Sequence, residues 1–243
     1  MKKAKKSSLR DIKKDIIVLN ELMSITFNDF LEQFYRQSII TTIWEDLLRM
    51  KVSDSVTKGE LLKDVEFFKS CLLDGMPTED LVEHFACSQM KDALTDIYAH
   101  SLSVMSKHKE EILKVVPVIH YKDSKRPTRK EVLRHKDALS MTLDYFVAGY
   151  VGSMRLKISH AEIMESVLDQ YSDETRTLSD LKSWYAKWNV SKTDSSLLGQ
   201  DLCNYLEVPN LYEESEQIEI NLFRTIQDYI NSLNSELHRG LAA

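Results

Sequence analysis

LRDIKKDIIVLNELM, residues 9–23, decides the fold class of this chain. Its apolar side chains recur three and four positions apart, which places them on one stripe of a helix. They are Leu9, Ile12, Ile16, Leu19 and Met23. The sequence therefore predicts a first helix over residues 8–23, and a second, rich in aromatic residues, over 27–51.

The same helical spacing recurs along the rest of the chain. No stretch alternates with period two between hairpin turns, and no internal repeat is found. The sequence therefore predicts an all-α protein of about nine helices, arranged as two helical subdomains or as one large irregular helical bundle. The remaining helices are predicted over 61–73, 77–116 with a possible break near 88, 128–154, 159–171, 179–188, 194–206 and from Pro209 to Gly240.

Local signals mark several helix ends. Gly75 is placed to end the third helix in a left-handed conformation, and Pro77 to begin the next one. A capping box pairs Thr128 with a glutamate three residues later, and Ser159 followed by Glu162 predicts a second one.

The best domain boundary lies in PVIHYKDSKRP, residues 117–127, which holds two of the four prolines. It predicts an N-terminal helical subdomain over 1–116, with a basic leader at 1–14. The C-terminal helical subdomain is then predicted over 128–243.

Composition limits the class of protein. The 243 residues are 43% hydrophobic, enough for a proper core, but only six are glycine, which disfavours the glycine-rich loops of nucleotide-dependent enzymes. The three cysteines form neither a CxxC pair nor a disulfide framework, which favours a reducing cytoplasm. No apolar run is long enough to span a membrane, and we expect no membrane partner.

Charge is unevenly distributed along a chain of net charge −6. Residues 1–14 hold seven Lys or Arg and one acid, and residues 122–136 hold seven against two. The rest of the chain is acidic, so two basic islands lie in an acidic protein.

The second island begins a predicted helix, where the macrodipole already presents partial positive charge. A bound phosphate or carboxylate would relieve that conflict, although a solvated flexible linker would also screen these charges. The residues predicted to contact nucleic-acid phosphates are Lys122, Lys125, Arg126, Arg129, Lys130, Arg134 and Lys136.

These features predict a non-enzymatic cytoplasmic accessory or regulatory protein that contacts the phosphates of DNA or RNA. An alternative is a helical adaptor or scaffold whose basic islands dock on an acidic protein partner or on another copy of the chain. The amphipathic stretch EESEQIEINLFRTIQDYINSLNSEL, residues 213–237, would suit that role.

Within the second island, RKEVLRH places Arg129 six residues before His135. This resembles the Rx4–6H motif of HEPN ribonucleases, an all-helical family. The resemblance implies a ribonuclease in which Arg129 binds the scissile phosphate and His135 acts in acid-base or phosphate chemistry, usually across a dimer. The family usually has Asn, Asp or His after the Arg, where this chain has Lys130.

Metal and cofactor sites are not expected. His84 and Cys87 can share a helix face, but His100 and His108 do not complete a usual zinc spacing. The linear motifs of nucleotide-binding, zinc-protease and hydrolase sites are absent from the sequence.

Overall fold

A computed structural model describes residues 7–52, 55–85, 95–103, 106–107, 128–172, 177–194, 196–197, 199–208 and 211–241. Every regular element within these ranges is a helix, so the predicted all-α class is confirmed. Seven helices have defined bounds, and residues 95–103 are helical as well, close to the predicted nine. The seven are α1 (Leu9–Val52), α2 (Lys58–Leu73), α3 (Thr78–His84), α4 (Arg129–Ser172), α5 (Leu178–Ser191), α6 (Gly199–Tyr205) and α7 (Leu211–Gly240).

Two predicted helix boundaries are wrong. Helix α1 runs without interruption through residues 24–26, because no Gly or Pro breaks the chain there and Thr26 is buried inside the helix. Helix α4 likewise continues through Ser159, whose hydroxyl donates to the Ser215 hydroxyl at 3.1 Å instead of capping a new helix. Each 44-residue helix replaces two predicted ones.

The other end signals are mostly correct. Gly75 has φ +70°, and its N–H donates to Leu72 O while that of Met76 donates to Cys71 O, a Schellman end. Helix α6 begins later than predicted, at Gly199, because the carboxylate of Asp194 accepts from Ser196 N and holds that segment in a turn.

The chain forms two compact units, each built from separate segments. Unit 1 contains Met1–Gln33, Ser101–Ser153 and Ile220–Ala243, and unit 2 contains Phe34–His100 and Met154–Glu219. Each unit therefore contains segments that precede residues 117–127 and segments that follow them. The sequence predicts instead two consecutive subdomains that meet at these residues. The linker itself lies outside the described residues.

In unit 1 the first half of α1 packs along the first half of α4. Ile12 and Ile16 bury against Val132 and Leu139 near the helix starts. One further set of contacts lies deeper in the unit, where the Phe30 ring stacks on Tyr150 with centroids 3.8 Å apart. Residues near the start of α1 contact residues near the start of α4, and residues farther along α1 contact residues farther along α4. The two helices therefore run in parallel and begin at the same end of the unit.

Unit 2 has its own core, in which α2, α3 and α5 contribute Phe68, Leu81 and Trp188. Trp44 of α1 meets Phe68 edge to face, with centroids 4.8 Å apart. The Trp184 indole donates to Leu206 O at 2.9 Å, fixing the turn after α6. None of the helices in the described ranges is apolar over a length that could cross a bilayer.

Candidate functional site

The starts of α1 and α4 and the end of α7 meet in unit 1. The Arg129 guanidinium donates to Ser7 O at 2.7 Å, and the Lys14 ammonium donates to Leu241 O at 3.2 Å. The described parts of both basic islands therefore lie together. We call residues 7–15, 128–137 and 238–241 the cationic end; they hold eight Lys or Arg and four Asp or Glu.

Two of the four acids in the cationic end cap the helices. Asp11 accepts from the N–H of Ser8 at 2.9 Å, and Glu131 accepts from that of Thr128 at 2.6 Å. Hydrogen bonds from the Ser8 hydroxyl and N–H lower the pKa of Asp11, and those from the Thr128 N–H and hydroxyl lower that of Glu131. Both carboxylates are therefore turned toward their helix starts, and the predicted capping box at Thr128 is confirmed.

A third acid pairs with one of the predicted phosphate ligands. The Lys136 ammonium lies 2.5 Å from an Asp15 carboxylate oxygen, which ties α4 to α1. The Nε2 atom of His238 in α7 lies 3.9 Å from the other carboxylate oxygen of Asp15. Lys136, like Arg129, therefore holds the cationic end together, which accounts for part of the charge that the sequence concentrates there.

Five cations of the cationic end remain turned to solvent. All five side chains are exposed, and none forms an ion pair within the described part of the chain. They are Arg10, Lys13, Lys130, Arg134 and Arg239. We call them the outward cations; each is exposed to solvent and within reach of a polyanion.

The predicted ligands thus divide into three groups. Lys122, Lys125 and Arg126 lie outside the described residues. Arg129 and Lys136 have structural partners, whereas Lys130 and Arg134 belong to the outward cations. Arg239 is not recognisable from the sequence, because only the packing of α7 against α1 brings this residue to the first island.

The ribonuclease pair is not assembled within one chain. Arg129 and His135 lie on the same helix, six residues and about 120° apart around its axis. Arg129 is engaged with Ser7 O, and partial burial lowers the pKa of His135. The ribonuclease stays an untested prediction that would need a second copy.

The candidate zinc ligands do not come together in the described chain. The His84 ring meets Phe67 edge to face at 5.9 Å, and His100 is exposed. Cys87 and His108 lie outside the described residues. Within the described ranges no group of three or more His, Cys, Asp or Glu could hold a metal ion.

A partly buried cluster of titratable groups lies in unit 2, around Trp188. Glu45 accepts from the Trp188 indole at 3.0 Å and from the Lys192 ammonium at 2.9 Å. The His160 ring packs edge to face on Trp188, and burial followed by the charge of Lys157 lowers the pKa of His160 to about 4. These groups join α1, α4 and α5, which is a structural role.

Comparison with protein-family models, curated proteins and solved structures finds no match to this chain. Functional inference therefore depends on the geometry and charge of the molecule itself. At the cationic end the folded chain brings together the described parts of the two basic islands.

Proposed function

We propose that the protein is a non-enzymatic cytoplasmic accessory protein that contacts the phosphates of a nucleic acid through the cationic end of unit 1. The observation that carries the proposal is the meeting of both basic islands at one end, with the outward cations exposed there. An acidic protein gains little for its own fold from such an arrangement, since repulsion between exposed like charges opposes it.

Side chains, rather than the helix-start amides, would make the contacts. Asp11 and Glu131 already accept hydrogen bonds at the starts of α1 and α4. Arginine and lysine bind phosphate oxygens well, and arginine can do so with two parallel hydrogen bonds. Contacts of this kind recognise the backbone and not the bases, so we expect weak sequence preference.

The test is a salt series with labelled duplex DNA, single-stranded DNA and single-stranded RNA. Log affinity should fall linearly with log salt, with a slope of about −4.5 for duplex DNA if all five outward cations bind phosphates. The variant Arg10→Gln/Lys130→Gln/Arg134→Gln should reduce that slope to about −2 and lower low-salt affinity on the order of 100-fold.

The matched control removes three exposed cations from unit 2, Lys58→Gln/Lys63→Gln/Lys182→Gln, for the same change in net charge. It should bind nearly as the parent does. Equal losses in both triple variants would mean that only net charge matters and would overturn the proposal. Cleavage of the RNA in the same tubes, lost in His135→Ala, would instead favour the ribonuclease.

An adaptor role is the second candidate, and exposed apolar side chains on α7 favour it. Ile220 and Phe223 are 51% and 44% exposed, one turn apart on the same helix. An acidic partner or a second copy could meet the cationic end and this part of α7 together. Salt-sensitive self-association in sedimentation, without nucleic acid, would favour the adaptor over the nucleic-acid role.

A further inference from the structure

A cleft of about 520 Å³ in unit 2 is lined by five carboxylates. It lies between the second half of α4, the turn after α6 and the start of α7. The carboxylates belong to Glu162, Glu165, Asp169, Glu207 and Glu214, and Val208 and Leu211 supply apolar lining.

Two lysines neutralise part of this lining. The Lys69 ammonium of α2 lies 2.7 Å from Asp169 and 3.3 Å from Glu165. The Lys187 ammonium of α5 lies 2.5 Å from Glu207. Neither Glu162 of α4 nor the exposed Glu214 of α7 has a lysine at ion-pair distance within the described structure.

Among the cleft carboxylates, Glu162 has a buried oxygen, Oε2, that lacks a hydrogen-bond partner within the described structure. A buried carboxylate oxygen without a partner strongly disfavours the ionised form. Burial, followed by the charges of Glu214 and Glu165, raises the pKa of Glu162 to about 7.

Polar contacts in the described structure hold the start of α7 on α4. Arg155 pairs with Glu219, and the Ser159 hydroxyl donates to Ser215. Glu214 lies on the same turn of α7 as Ser215, so charge placed on Glu162 acts where these contacts hold the two helices together.

We propose that this cleft is a proton-operated clasp, in which protonated Glu162 lets the first two turns of α7 stay packed on α4 and ionised Glu162 pushes them apart. Opening would expose Val208 and Leu211. The proton that operates the clasp is the one on Glu162. The sign follows: because folding raises this pKa, stability of the closed cleft is lost as pH rises from about 4.5 through about 7.

Hydrogen exchange of the full-length protein tests the clasp, with variants compared at one pH so that the chemical exchange rate cancels. At pH 8 the amides of residues 211–219 should exchange on the order of tenfold faster in the parent than in Glu162→Gln. At pH 5 the two proteins should differ little. The matched control is Glu213→Gln, an exposed neighbour outside the cleft, which should behave as the parent at both pH values.

A second variant covers the case in which Glu162→Gln does not fold. Glu214→Gln removes the facing charge from α7 and should slow exchange at pH 8 in the same residues. Equal exchange in the parent and either folded cleft variant at pH 8 would overturn the proposal. So would a difference of the same size at pH 5 and pH 8, since that would reflect packing rather than a proton.

Discussion

The cationic end of unit 1 and the acidic cleft of unit 2 both concentrate like charge. They differ in how far the surplus charged groups are exposed to solvent. At the cationic end the surplus side chains, such as Lys130 and Arg134, extend into water. In the cleft one surplus carboxylate, Glu162, has a buried oxygen with no partner, and its pKa rises to about 7. Exposed charges therefore remain available to a partner, whereas partly buried charges become sensitive to pH.

The largest expected effect extends this comparison to His160, a partly buried histidine whose charged form is disfavoured by burial. Because folding lowers its pKa from 6.5 to about 4, the free energy of unfolding should fall as pH drops from 6.5 through about 4. The loss is about 3 kcal/mol at most, and less with solvent screening. In denaturant unfolding between pH 4 and 7, His160→Gln should remove this contribution and leave the opposite pH dependence that Glu162 contributes.

The control for His160 is an exposed histidine of the same unit, His100. His100→Gln should keep the acid-induced loss of the parent. A parent-like loss in His160→Gln would mean that other groups govern acid stability. Glu162 acts in the opposite direction over pH 4.5 to 7. In the parent, the free energy of unfolding should therefore depend less on pH than the contribution of either group alone.

A smaller effect compares one ion pair from each region. Lys69→Met leaves Glu165 and Asp169 beside Glu162 without their shared cation, and should cost about 1–2 kcal/mol at pH 7.5. Asp15→Asn breaks the pair with Lys136 in unit 1, where the cation can turn to water, and should cost about 0.5 kcal/mol.

Urea unfolding of both ion-pair variants at pH 5.5 and 7.5 separates the two regions. The cost of Lys69→Met should be larger at pH 7.5, because more of the Glu162 carboxylate is then ionised. The cost of Asp15→Asn should change little between these pH values. If both variants cost the same at both pH values, the cleft would not be electrostatically different from the open surface.

Sequence reasoning succeeds in this molecule where the determinant is local. The Gly75 helix end and the Thr128 cap each depend on residues within a few positions, and both are confirmed. The same logic is wrong at Ser159, because a Ser followed three positions later by Glu also fits a helix interior when neither Gly nor Pro stops the helix.

The site shows the same limit. Lys130 and Arg134 are recognisable from local charge, whereas Arg239 joins them only through the fold. From the sequence, Glu162 is predicted to belong to a helix cap. In the structure it lines the cleft together with Glu214, which lies 52 residues further along the chain. Burial of a charged group is a tertiary property, so no local pattern reveals the raised pKa of Glu162.

The smallest expected effect compares two helix caps, Thr128 beside the outward cations of unit 1 and Thr177 in unit 2, where the first turn of α5 holds no Lys or Arg. Thr128→Ala and Thr177→Ala each remove a side chain that accepts from the N–H three residues later, at 3.4 and 3.3 Å, and each should cost about 1 kcal/mol. Thr128→Ala should cost a few tenths of a kcal/mol more at low salt, because Arg129 and Lys130 lie in the first turn of α4 and oppose its dipole. At about 1 M salt, where the Debye length is about 3 Å, the two costs should converge. A difference that survives high salt would show that packing, and not the charge of the cationic end, sets the value of the Thr128 cap.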